Sequence, residues 1–123
     1  MGCLERYWNN NMEIIDCGTL VHYTKTFKAQ HGRFKLEWYS DDVESGYITA
    51  LYVDKDYRKR GVGGELLKYA EAVARDKGFD ELYLKVEDGT WMKDWYERLG
   101  YSFHSYEVDE DDCWVWLKKP IKN

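Results

Sequence analysis

Between Met12 and Tyr39 apolar and aromatic residues recur in loose alternation: Ile14, Ile15, Leu20, Val21 and Tyr23, then Phe34, Leu36 and Trp38. Period two puts alternate side chains on one face of a sheet, so this stretch predicts two or three antiparallel strands, with His31-Gly32 as a turn between them. Ser40 to Ser45 is acidic and turn-like, and Gly46 to Val53 (GYITALYV) follows it, apolar at successive positions as a strand covered on both faces would be. The period then changes. Leu66, Leu67, Ala70, Val73 and Ala74 fall on one stripe of a helix, with Glu65, Lys68, Glu71 and Arg75 away from it and Gly78 as its C-terminal stop. A short strand over Glu81 to Val86, a second helix over Thr90 to Leu99 closed by Gly100, and a hairpin around the acids Asp109 to Asp112 complete the order. These elements predict an α/β (α+β) fold with a single mixed, mainly antiparallel central sheet and two main helices. Residues 1–11, polar apart from Trp8 and ending in three asparagines, read as a loose leader before a single domain over 12–123.

Composition narrows the classes of function. The 123 residues include six Trp and eleven Tyr, enough bulky side chain for a core and a lined pocket, and hold no apolar run near the roughly 20 residues of a membrane span. The formal net charge of −5 opposes binding to phosphate backbones, so neither nucleic acid nor membrane is an expected partner. Three scattered cysteines, Cys3, Cys17 and Cys113, lack the spacing of a disulfide framework or zinc site, which points to reduced thiols and a cytoplasmic setting with no metal. No targeting signal is read at the N-terminus.

Chemistry concentrates where the central strand meets the first helix, in Val53-Asp54-Lys55-Asp56-Tyr57-Arg58-Lys59-Arg60-Gly61-Val62-Gly63-Gly64. Glycines admit a ligand close to the backbone, and the free N–H groups of a helix start converge on an anion such as a pyrophosphate, beside three basic side chains. A Walker loop would need Gly-Lys-Ser/Thr, and a dinucleotide fingerprint would need Gly in place of Leu66.

The run Leu51-Tyr52-Val53 followed by Arg58-Lys59-Arg60-Gly61-Val62-Gly63 resembles the acetyl-CoA signature of the GNAT acetyltransferase superfamily. Trp95-Tyr96-Glu97-Arg98-Leu99-Gly100-Tyr101 is similar to that family's second signature. The resemblance covers about Gly46 to Val115 and fades upstream, which implies a GNAT-like acyl-CoA N-acyltransferase fold with a reduced N-terminal half, too short for the family's usual pair of N-terminal helices. It implies acetyl-CoA as co-substrate, backbone contacts from Leu51, Tyr52 and Val53 to the pantetheine arm, and a pyrophosphate held by Arg58 through Gly63 with Gly64. Tyr96 would face the sulfur. Gly89 and Met92 stand where the family often has Asn and Ala, so no Asn contact to the cofactor is expected.

No carboxylate interrupts Gly46 to Val53, which leaves Glu44 before the strand and Glu87 or Asp88 after the next one as the nearest candidates for a general base. Trp38, Tyr39, Tyr47, Trp91 and Trp95 are candidates for an aromatic wall around an ammonium group. His22, His31 and His104 stand alone and read as sheet or turn residues. The expectation is N-acetyl transfer from acetyl-CoA to a primary amine: a small cationic amine, or a lysine or N-terminal amine of a protein. The enzyme would be a monomer or homodimer. The alternatives are a catalytically silent acyl-CoA-binding or interaction module and an acetyltransferase toxin acting on charged transfer RNA, against which the negative charge speaks.

Overall fold

Alternation along the strands and helical spacing between them produce one sheet with both helices against the same face. The computed structural model describes residues 12–17 and 20–122; the expected leader over 1–11, with Cys3, lies outside them. The strands are β1 (Met12–Cys17), β2 (Leu20–Ala29), β3 (Gly32–Tyr39), β4 (Asp42–Val53), β5 (Glu81–Glu87), β6 (Ser102–Val108) and β7 (Cys113–Pro120). Their spatial order is β1-β2-β3-β4-β5-β7-β6, antiparallel except where β4 meets β5. Between those two parallel strands runs α1 (Val62–Asp76), and α2 (Trp91–Arg98) joins β5 to the closing hairpin. Among the described residues no helix is long and apolar enough to cross a membrane.

The core is the helix-side half of each alternation. Phe34 and Leu36 of β3, Ile48 of β4, Leu82, Leu84 and Val86 of β5, and Val115 and Leu117 of β7 meet Leu66, Leu67, Ala70 and Ala74 of α1 and Tyr96 of α2. Ala70 and Ala74 are fully buried, and their small size lets α1 approach the sheet closely. α1 ends where expected, with Gly78 at φ +91°.

Two expectations are corrected. The central strand begins at Asp42, not Gly46, because Tyr39 pairs with Asp42 across a tight turn and pairing satisfies the backbone even where Val43 and Glu44 remain exposed. Glu71 is buried, not turned away from the apolar stripe. Its carboxylate accepts a hydrogen bond from the Tyr101 hydroxyl at 2.9 Å and an ion pair from Lys119 Nζ at 3.2 Å, so the buried charge is compensated. Lys119 also donates to Leu99 O at 3.0 Å, tying α1, the end of α2 and β7 together.

Candidate active site

A wedge opens in the middle of the sheet. β4 and β5 pair from Ser45 opposite Glu81 to Ile48 opposite Leu84, yet β4 continues to Val53 and β5 to Glu87. The cause lies on β4's other side: Leu36 of β3 faces Ile48 while Lys35 faces Ala50, so Thr49 is an extra residue. A bulge bends its strand and sharpens its twist, which turns the second half of β4 away from β5. Past Ile48, β4 has no strand partner on this side among the described residues, so its backbone can pair with an extended, amide-bearing ligand.

At the far end of the wedge β4 runs through a short 3-10 turn (Lys55–Tyr57) into α1. Arg58 Nε donates to Val53 O at 3.1 Å, and Tyr57 stacks on His31 with centroids 3.6 Å apart. Lys59 holds φ +62°, a left-handed conformation that costs a non-glycine residue energy, and Gly61 caps α1 at φ +82°. The first intrahelical bond runs from Glu65 N to Gly61 O at 3.2 Å, so the N–H groups of Val62, Gly63 and Gly64 precede the ladder. A Cβ added to Gly61 or Gly64 would meet nothing within 4 Å. Exposed Arg58, Lys59 and Arg60 surround this open cradle. The residues fit a pyrophosphate: unpaired N–H donors, a positive helix end, cationic side chains and no side chain in the way.

On the helix side the wedge is bordered by α2. The Trp95 indole lies against Gly63, 3.4 Å from where a Cβ there would stand, and beside Val53. Tyr96 is buried between Trp95 and Tyr101, with edge-on ring contacts at 4.8 and 5.8 Å. Burial pushes its phenol up to about 12, so it stays protonated at any physiological pH.

On the opposite face, which no helix covers among the described residues, a cleft of about 610 Å³ lies beside the same wedge. It is lined by Glu37 and Tyr39 of β3, Tyr47, Ile48 and Thr49 of β4, Lys85 of β5, and Trp114 and Trp116 of β7. Tyr47 organises the rings, edge-on to Tyr39 at 5.8 Å and to Trp116 at 5.9 Å. Lys85 lies over Trp114 and Trp116 at 5.2 and 5.5 Å, and its ammonium pairs with Glu107 at 2.9 Å. Burial, ahead of nearby acids, raises the phenols of Tyr39 and Tyr47.

The sequence-derived candidates divide accordingly. Leu51, Val53 and Arg58 to Gly64 meet at the wedge and its turn, whereas Tyr52 points to the open face, where Arg33 stacks on its ring at 4.3 Å. Glu44 lies at the other end of β4, its carbonyl bonded to Asp80 N, and Glu87 is exposed at the end of β5 without lining the cleft. Of the aromatic candidates, Tyr39 and Tyr47 reach the cleft, Trp38 packs towards Phe79, Trp95 stays on the helix side and Trp91 is exposed. Glu37, Lys85, Trp114 and Trp116 were not anticipated. The alternation Trp114-Val115-Trp116-Leu117 carries a signal for two of them, since it puts both indoles on the face away from Val115 and Leu117.

Known proteins are similar to this chain in sequence and in fold. The Acetyltransferase (GNAT) family matches residues 2–101. Mycothiol acetyltransferase of Corynebacterium aurimucosum is 36% identical over 120 residues, covering 94% of this chain and 36% of that protein. Thialysine N-epsilon-acetyltransferase of Bos taurus is 40% identical over 71 residues, covering 55% and 38%. The chain thus spans little more than a third of the length of either relative. A GNAT family acetyltransferase from Elizabethkingia anophelis, solved with acetyl-CoA bound, superposes with a TM-score of 0.64 at 15% identity, covering 91% of this chain and 99% of that one. With the family model matching residues 2–101 of its 123, this chain belongs to the GNAT acetyltransferase family.

Proposed function

We propose that this protein transfers the acetyl group of acetyl-CoA to a primary amine, and that the amine enters from the open face of the sheet. The observation that carries this reading is the wedge between β4 and β5. It joins a phosphate-sized cradle at one end to a cleft with one carboxylate and several aromatic walls on the other side.

In this reading the backbone of Leu51 and Val53 aligns the pantetheine arm, and the turn from Arg58 to Gly64 holds the pyrophosphate. Acetyl-CoA supplies an acetyl group activated as a thioester. An unpaired N–H of β4 beside the Thr49 bulge stabilises the developing negative oxygen. Tyr96 faces the departing sulfur. A departing thiolate, whose thiol has a pKa of about 8.5, cannot draw a proton fully from a phenol near 12, a step uphill by about 5 kcal/mol, so Tyr96 acts by donating a hydrogen bond. Aromatic faces and Glu37 favour an ammonium-bearing acceptor, since a cation over a ring gains about 0.5 to 2 kcal/mol. The thialysine relative, whose name gives an amine nitrogen as acceptor, supports the same class.

The test is acetylation of an amine panel, followed by release of free thiol and by product mass. Polyamines, lysine-bearing peptides and free amino acids are each expected to give a product 42 Da heavier (the mass of one acetyl replacing one hydrogen) if accepted. Absence of product from every amine, in a protein that acetyl-CoA still stabilises against heat, would establish the silent binding module instead.

A further inference from the structure

Attack on a thioester requires the amine as free base, and an alkylamine of pKa about 10.4 is protonated in all but about one molecule in a thousand at pH 7.4. The cleft therefore needs a proton acceptor beside the wedge. Lys85 is a cation already paired with Glu107, Thr49 is neutral, and the Tyr39 and Tyr47 phenols are held in their protonated form. Glu37 is the one carboxylate among the lining residues. It sits opposite Tyr47 in the β3–β4 register, two residues before the bulge at Thr49, which places it beside the point where β4 leaves β5. Glu44 and Glu87 occupy neither the cleft nor this level of the sheet.

Glu37 is also held. Its Oε1 lies 2.7 Å from Nε2 of His22, on the neighbouring strand β2. That nitrogen is buried, and although the contact is too far off line for a well-formed hydrogen bond, nothing else among the described residues offers it a partner. The imidazole is fixed in turn by stacking on Tyr39, centroids 4.6 Å apart and planes within 11°. With Oε1 against His22 on the β2 side, Oε2 is the oxygen left to meet a ligand in the cleft. A carboxylate with one oxygen set against a fixed neighbour and the other towards the cleft has the form of an oriented base.

Building on the proposed function, we propose that Glu37 is the general base of acetyl transfer and that His22 is its positioning residue, which holds Oε1 so that Oε2 meets the acceptor's ammonium group. The ammonium gives one proton to Glu37, which passes it to solvent. The nitrogen lone pair forms the new C–N bond, the C–S bond breaks, and the second proton leaves nitrogen for the thiolate. The products are an N-acetyl amine, free thiol and one released proton, which balances the charge of the ammonium.

A series of acceptors of falling basicity tests this, from alkylamines near pKa 10 to weakly basic amines near 6, which need no base at pH 7.4. Glu37→Gln is expected to lower kcat/KM about a hundredfold or more for the alkylamines and less than fivefold for the weak bases. His22→Ala should lower kcat about tenfold at unchanged KM for acetyl-CoA, and His22→Gln, whose amide can contact Glu37 in its place, should recover most of it. A second readout needs no acetyl-CoA: quenching of Trp114 and Trp116 fluorescence by tetramethylammonium, which binds but cannot react, should weaken in Glu37→Gln. Equal loss across the whole amine series, or no loss, overturns the base while leaving the enzyme. No turnover of any amine by the wild-type protein overturns the enzyme and the base together.

Discussion

The two faces of the sheet are made by the same strands and do opposite things. Towards the helices, Phe34 and Leu36 of β3, Leu82, Leu84 and Val86 of β5, and Val115 and Leu117 of β7 are buried, and the proposed cofactor site at the rim would consist mostly of backbone: glycine N–H groups, a helix end and a strand edge. Away from the helices, the intervening positions carry exposed Lys85 and half-buried Glu37, Tyr39, Tyr47, Trp114 and Trp116, side chains that line the cleft with their own chemistry. Backbone recognition suits an invariant ligand such as a pyrophosphate, because it depends on turn geometry alone. Side-chain recognition suits an acceptor, because each residue can change without disturbing the ladder beneath it.

The largest expected effect breaks the first face and spares the second. Gly64 lies in the first turn of α1 with open space where a Cβ would go, so Gly64→Asp should fold. The helix itself should gain slightly, since an acid near a helix N-terminus stabilises it by about 0.3 to 1 kcal/mol. The same charge repels a pyrophosphate and its bulk fills the cradle. Acetyl-CoA affinity should fall about a thousandfold, or about 4 kcal/mol, and the rise in Tm with cofactor should vanish. Tetramethylammonium quenching on the open face should be unchanged. A variant with lowered Tm in the absence of ligand, or with undiminished acetyl-CoA stabilisation, would show that the turn is a packing feature.

The difference between the faces also explains what could be read before folding. Arg58 to Gly64 is a local signal: the backbone chemistry, the glycines and the charges that serve it lie within one short run, and Tyr96 follows in a run of the same kind. The cleft joins Glu37 to Trp116 across four strands, and only the register, Glu37 beside Tyr47 and Lys85 opposite Trp116, brings them together. Alternation tells which face Glu37 takes, not what stands next to it. Glu71 failed for a similar reason. Its polarity argued for solvent, whereas its partners Tyr101 and Lys119 come from segments 30 and 48 residues further along the chain. The Thr49 bulge, on which the wedge depends, leaves no mark in composition or period, since it is defined by the β3 residues it fails to face.

A second, smaller effect separates the faces by alkaline pH. Burial raises the Tyr96 phenol to about 12, so the folded state favours its protonated form over the unfolded chain's ordinary value near 10. That contribution is complete below pH 10 and is lost as pH rises from 10 to 12, about 3 kcal/mol in all. Tyr101 is raised as well, by burial first and by the charge of Glu71 next, so alkaline unfolding should begin on the helix face. Denaturant melts of Tyr96→Phe between pH 9 and 12 should show a shallower fall than the wild type by about this amount. At neutral pH the same variant should keep its acetyl-CoA affinity and lose about tenfold in kcat, the signature of a contact made to the leaving sulfur. Parallel alkaline curves would mean that Tyr96 is solvated, and an unchanged kcat that it only packs.

The smallest effect concerns charge beyond the cleft. With a net charge of −5 and the exposed acids Asp109 to Asp112 on the β6–β7 turn beside the open face, the field of the protein should draw a polycation towards the cleft before any contact forms. Contacts and field respond differently to salt. The Debye length falls from about 10 Å at 0.1 M to roughly 4 Å at 0.5 M, which screens the distant acids and leaves a carboxylate touching its ammonium much less affected. For a polyamine, kcat/KM should therefore fall two- to threefold over that range through KM, with kcat constant, while a weakly basic neutral amine should show no change. Replacing Asp111 and Asp112 by Asn should remove part of the salt dependence and leave the neutral amine's rate as it was, because neither residue lines the cleft. If neutral and cationic acceptors respond alike to salt, the long-range field plays no part in acceptor capture, and selection on the open face rests on Glu37 and the aromatic rings alone.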